Sequence, residues 1–74
     1  MTIKEIAYAI DSDWVKVSPY AKPYLDAMKE IETINESYYA ESAESVVLYF
    51  LANAQTYRTP NAKNYKAQLK ELIK

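Results

Sequence analysis

The 74 residues of this chain include no glycine, no cysteine and no histidine. Each absence closes a class of function. Phosphate-cradling loops, dinucleotide fingerprints and nucleophile elbows need backbone that turns at positive φ or admits a ligand closely, and glycine supplies both. Without cysteine there is no disulfide, and zinc sites built from Cys and His are excluded. Without histidine the usual acid–base group at neutral pH is missing. Long apolar runs are scarce as well. The most apolar stretch, VVLYFLANA at 46–54, falls far short of the roughly 20 residues that cross a bilayer.

The opening MTIKEIAYAI carries Lys4 and Glu5 where a signal peptide would need an uncharged core and then a small-residue cleavage site. A soluble, cytoplasmic protein is therefore expected, and the NES sequon at 35–37 has no meaning without secretion. What the chain does have is apolar content: 50% of its residues are hydrophobic. That is ample for one compact core and argues against disorder. A chain this short buries only about 60–65% of its unfolded surface. Its stability is expected near the low end of the usual range of about 5–15 kcal/mol, and self-association is one way to raise it.

The periodicity predicts an all-α fold, a single helical domain over 1–74 with helices at about 3–10, 20–34, 43–57 and 60–73. Thr2 and Glu5 form a capping box, followed by Ile3, Ile6, Ala7 and Ile10 at helical spacing. Asp11, Ser12 and Asp13 are expected to end this helix as caps, with Trp14, Val15 and Val17 laid over the core. Ser18 and Pro19 open the second helix, and Pro23 must fall in its first turn because it lacks an N–H. Its apolar stripe is Tyr20, Tyr24, Ala27, Met28, Ile31 and Ile34. Ser42 caps the third helix, which is apolar on nearly every side and is therefore expected at the centre of the bundle. Thr59 caps the fourth and Pro60 starts it, with Ala62, Tyr65, Leu69, Leu72 and Ile73 turned inward.

Charge is unevenly placed. Residues 58–74 set Arg58, Lys63, Lys66, Lys70 and Lys74 against Glu71 alone, a local charge of +4. The first 57 residues set four lysines against nine acids, a charge of −5, which gives the total of −1. At roughly 100° per residue, Lys63, Lys70 and Lys74 form a narrow ridge with Lys66 beside it. A ridge of this kind suits phosphate contacts, and a weak nucleic-acid binder is the alternative reading. Against it, Lys70 and Lys74 complement the negative end of their own helix, and Arg58 does the same for the third. Nucleic-acid domains are also basic overall, with a pI above about 9, whereas this chain has a pI of about 5.3. The ridge thus reads first as a solvated helix face; Lys63, near a positive helix start, is the exception.

The acids Asp26, Glu30, Glu36, Glu41 and Glu44 lack the spacing and glycine bend of a Ca²⁺ loop. No catalytic residue, cofactor site or metal site is expected. Eight tyrosines are present. Tyr8, Tyr20, Tyr24, Tyr49 and Tyr65 fall on or beside expected buried stripes, so core packing is their default role. Tyr38 and Tyr39 do not, and tyrosine is enriched at interfaces. The preferred reading is a non-enzymatic protein-interaction module that binds a protein partner or forms a homo-oligomer, with Glu36, Tyr38, Tyr39, Glu41 and Glu44 as the contact edge.

Two stretches resemble known sequences, and the first, a hexamer that any capped amphipathic helix can produce, carries no weight. TIKEIA at 2–7 resembles the opening of the helix-turn-helix of lactose-repressor-type regulators, but only over those six residues. The turn that should follow usually contains Gly, and here it is IDSDW. SPYAKPYLDAM (18–28) and VVLYFLANAQTYR (46–58) resemble short uncharacterised helical proteins encoded by phages of Gram-positive bacteria. The resemblance carries no functional motif; it implies a small accessory protein that occupies the surface of a host or phage component.

Overall fold

The first helix starts where its capping box dictates. A computed structural model of the chain describes residues 2–32, 37–38 and 41–73, and for 37, 38 and 41 the backbone alone. Helix α1 spans Ile3–Asp13. The Glu5 N–H donates to Thr2 Oγ1 at 3.1 Å, and the Thr2 N–H donates to Glu5 Oε1 at 2.8 Å. Ile3, Ile6, Ala7 and Ile10 are buried on one face. The helix does not stop at the aspartates: Asp11, Ser12 and Asp13 are its last turn rather than its caps, because the two carboxylates have partners elsewhere in the fold. The turn a helix-turn-helix would need after TIKEIA is absent, since α1 continues unbroken through it.

Helix α2, Lys22–Met28, follows a turn nucleated by Ser18, whose carbonyl accepts the N–H of Ala21 and Lys22 at 3.0 and 2.9 Å. Pro23 sits in the first turn, where its missing N–H leaves nothing unsatisfied. The expected run to residue 34 stops six residues early. Glu30 and Ile31 donate to carbonyls three residues back, at 3.0 and 3.1 Å, a tightening of the 3₁₀ kind. It carries Ile31 into the core. Starting at Lys22 also changes the buried stripe, which uses Leu25, Ala27 and Met28. Tyr20 belongs to the preceding turn and is 76% exposed.

Two short strands, β1 (Ser37–Tyr38) and β2 (Glu41–Ser42), pair antiparallel with Ser37 opposite Ser42 and Tyr38 opposite Glu41. Nothing in the sequence announced them, and at two residues each they leave an all-α fold. Helix α3, Ala43–Ala52, begins as expected, with Ser42 Oγ accepting the Ser45 N–H at 3.1 Å. It ends five residues before the expected Tyr57. There Asn53 Nδ2 donates to the Tyr49 carbonyl at 2.8 Å, satisfying one of the acceptors a helix end leaves orphaned. Helix α4 is Ala62–Leu72, and its N-cap is Asn61, without a side-chain capping bond. Thr59 does not cap it, because its hydroxyl donates to the Asp13 carboxylate on α1.

The principal helix contacts run α4 to α1, α1 to α2, and α2 to α3. The third helix therefore lies at one end of that series and not at its centre. Only Ala43, Val46, Val47 and Phe50 are buried on it, whereas Leu48 and Tyr49 are 49% and 47% exposed. Its outward arc, about 140° wide from Glu44 through Leu48 and Ala52 to Tyr49, faces water. One contiguous core joins all four helices through the segments between them, above all Trp14, Ala54 and Tyr57. Trp14 stacks on Tyr57 with ring centroids 4.9 Å apart and meets Phe50 edge-on at 6.3 Å. Such pairs add about 0.5–1.5 kcal/mol each beyond the area they bury. Among the described residues, no helix is long and apolar enough to cross a membrane.

Candidate functional site

The loop between α3 and α4 is anchored to the end of α1 by a single carboxylate. Asp13 accepts from the Tyr57 hydroxyl at 2.6 Å, from the Thr59 hydroxyl, and from Asn61 Nδ2 at 3.3 Å. The Thr59 bond, then those from Tyr57 and Asn61, hold the Asp13 carboxyl below its ordinary range. Burial, with help from Asp13, pushes the Tyr57 phenol well above its ordinary value. A buried tyrosine donating to an ionised carboxylate is a stable arrangement with no proton to release near neutral pH. It serves as a clamp, and it fixes where the next residues can stand.

Those residues are the cations. Arg58, Lys63, Lys66 and Lys70 line a shallow concavity of about 480 Å³ together with Tyr57, Ala62 and Ala67. The sequence placed Lys63 and Lys70 on one ridge with Lys66 beside it, and the structure brings them and Arg58 around one hollow; Lys74, the ridge's third member, lies outside the described residues. Arg58 Nε donates to the Gln55 carbonyl at 3.1 Å, within the loop beyond α3 rather than at the helix end itself. Lys66 is partly buried. Its ammonium donates to the Tyr57 carbonyl at 2.9 Å and stands 5.5 Å from the centre of the Tyr57 ring. Burial first, then Lys70 and Arg58, push the Lys66 pKa down. Among the described residues, no Asp or Glu lines the concavity.

A second surface lies across the molecule's other helix pair. Tyr24 on α2 and Tyr49 on α3 pack ring against ring, with centroids 5.4 Å apart. Tyr20 stands before α2 and beside a small hollow that it shares with Ala52 and Asn53 at the end of α3. Tyr8, Tyr20 and Tyr49 were expected in the core and are instead 52%, 76% and 47% exposed. The inward positions on α2 and α3 are taken instead by Leu25, Met28, Val46, Val47 and Phe50.

Of the acidic, tyrosine-bearing edge read from sequence, Glu36 and Tyr39 lie outside the described residues, as do the side chains of Tyr38 and Glu41. Tyr38 and Glu41 pair through their backbones, and Glu44 is exposed in the first turn of α3. Sequence reasoning passed over Leu48, because an apolar residue in an apolar helix carries no mark of its facing. It gave Asp13 and Thr59 local capping roles, because nothing local couples positions 46 residues apart. Among the described residues no group of three metal-binding side chains is close enough to hold an ion. No family model, no curated protein and no solved structure matches this chain.

Proposed function

We propose that this protein is a small non-enzymatic interaction module that docks on a protein partner, or on a second copy of itself, through the tyrosine-bearing face of α2 and α3. One observation carries the reading: Tyr20, Leu48 and Tyr49 each leave about half or more of their surface in water on a chain of only 74 residues. Covering apolar surface is favourable by about 25 cal/mol per Å². Tyrosine brings large area and a polar tip with few rotamers to freeze, which suits an interface. Glu44 stands at the head of the same outward arc as Leu48 and Ala52, and would supply an acidic rim. The resemblance to phage-encoded accessory proteins adds the expectation of a host or phage component as the partner.

The test is a Tyr20→Ser, Tyr49→Ser double variant, with circular dichroism and thermal melting to establish that the fold is kept. Sedimentation over a range of concentrations reads self-association, and affinity capture from the native lysate reads a foreign partner. The variant is expected to lose whichever association the parent chain shows. Association that survives in a folded double variant would remove this face from consideration.

A further inference from the structure

We infer that the hollow between α4 and the loop before it is a second docking site, separate from the tyrosine face, and that its occupant is an acidic segment of another protein carrying apolar side chains among its carboxylates. The charge pattern points there first. Among the described residues, ion pairs elsewhere join Lys4 to Glu32, Lys22 to Asp26, and Lys29 to both Asp11 and Asp26. In contrast, Arg58, Lys63, Lys66 and Lys70 line one concavity with no carboxylate among the described residues of its wall. Lys66 is the sharpest case. It has three donor protons, is partly withdrawn from water, and meets one carbonyl and one ring face. An anion arriving over it would meet positive charge already partly desolvated and held in place by those contacts.

The apolar part of the lining narrows the choice of anion. Ala62 is buried and Ala67 exposed, and both are small and apolar, so a partner backbone can come close and set an aliphatic side chain beside the cations. Lys63 and Lys70 stand about 10 Å apart along the helix axis at 1.5 Å per residue, which suits carboxylates spread along a chain better than one compact ion. A volume of about 480 Å³ falls within the roughly 300–1,000 Å³ of ligand clefts. Nucleic acid fits less well. Single-strand binding relies on exposed aromatic faces for base stacking. The only ring here, Tyr57, is fully buried and stacked on Trp14. The remainder of the chain also carries −5, which repels a long polyphosphate far more than a short acidic segment.

The experiment is an amide-resolved NMR titration of the full chain with three probes: a short peptide alternating Glu pairs with Leu, a Glu-only peptide of equal length, and a short oligothymidylate. The Glu/Leu peptide should move the amides of 57–70, weaken as salt is raised, and bind more tightly than either other probe. A Lys66→Gln, Lys70→Gln variant should bind it about tenfold more weakly with an unchanged circular dichroism spectrum. The Tyr20→Ser, Tyr49→Ser variant should bind it like the parent chain. Three results would each overturn the inference: no shift within 57–70, undiminished binding by the lysine variant, or tighter binding of the oligothymidylate, which would assign the hollow to nucleic acid.

Discussion

Lys29 and Lys66 make the same aromatic contact and end in opposite electrostatic states. Each is partly buried, and each ammonium lies 5.5 Å from the centre of a tyrosine ring, Tyr8 for Lys29 and Tyr57 for Lys66. Asp11 at 3.0 Å and Asp26 at 3.6 Å surround Lys29, and the Asp11 hydrogen bond raises its pKa. Around Lys66 the neighbours are Lys70 and Arg58; burial and those cations lower its pKa. Desolvation disfavours the charged form of both. At the α1–α2 junction carboxylates offset it, so that contact is complete within the chain. On α4 only a carbonyl and a ring face offset it, and the contact has room for an anion.

The strongest way to break this comparison is through the two rings. Tyr57→Ala should cost about 3–5 kcal/mol, the usual range for deleting a buried aromatic, and Tyr8→Ala no more than about 1 kcal/mol because half its surface is already wet. Urea unfolding measures both, and equal losses would mean that Tyr57 is not the core member of the two rings.

The lysines themselves come next. Lys29→Met should destabilise by about 1 kcal/mol, through loss of two carboxylate partners. Lys66→Met should stay within about 0.5 kcal/mol of the parent, since relief of repulsion opposes the lost carbonyl bond. A larger loss for Lys66→Met than for Lys29→Met would reverse the interpretation.

Asp13 sets how stability depends on pH as well as how high it stands near neutrality. Its folded pKa lies below its ordinary value, so the native state binds its proton less readily than the unfolded chain does. Its contribution is complete above about pH 4, the unfolded value, and is lost as pH falls through the lower folded value. The stability gap between the parent and Asp13→Asn should therefore be widest near neutrality and close on acidification. A gap that stays constant from neutral to strongly acid pH would show that the carboxylate's charge is not what clamps the loop. The smallest effect is expected for Tyr20→Ser, within about 0.5 kcal/mol of the parent, because that ring contributes to the surface and not to the core.

Four helices, the capping box at Thr2 and Glu5, the Ser42 cap and the place of Pro23 were all legible from local chemistry. These features depend on residues three or four apart, which a reader of the chain can see. Helix ends were less legible. The tightening at Glu30 and Ile31 and the departure of Tyr57 from the α3 axis follow from where Ile31 and Tyr57 find burial, which is a property of the assembled core. The basic ridge could be read from spacing alone, but the hollow it lines could not. That hollow exists because Asp13 holds Tyr57, Thr59 and Asn61 against α1. The facing of Tyr20, Leu48 and Tyr49 was misjudged for the same reason: hydrophobicity says that a residue gains by burial, not that a neighbour is present to bury it.

The sequence by itself determined that this is an all-α chain, where its first and third helices begin, and that its positive charge gathers after Tyr57, because caps, periodicity and charge order are written within a turn or two. Tertiary structure alone decided which apolar side chains stayed in water and which cations gathered around one hollow. Both depend on which distant segments meet, and a core of this size can cover only part of the apolar surface that the helices offer.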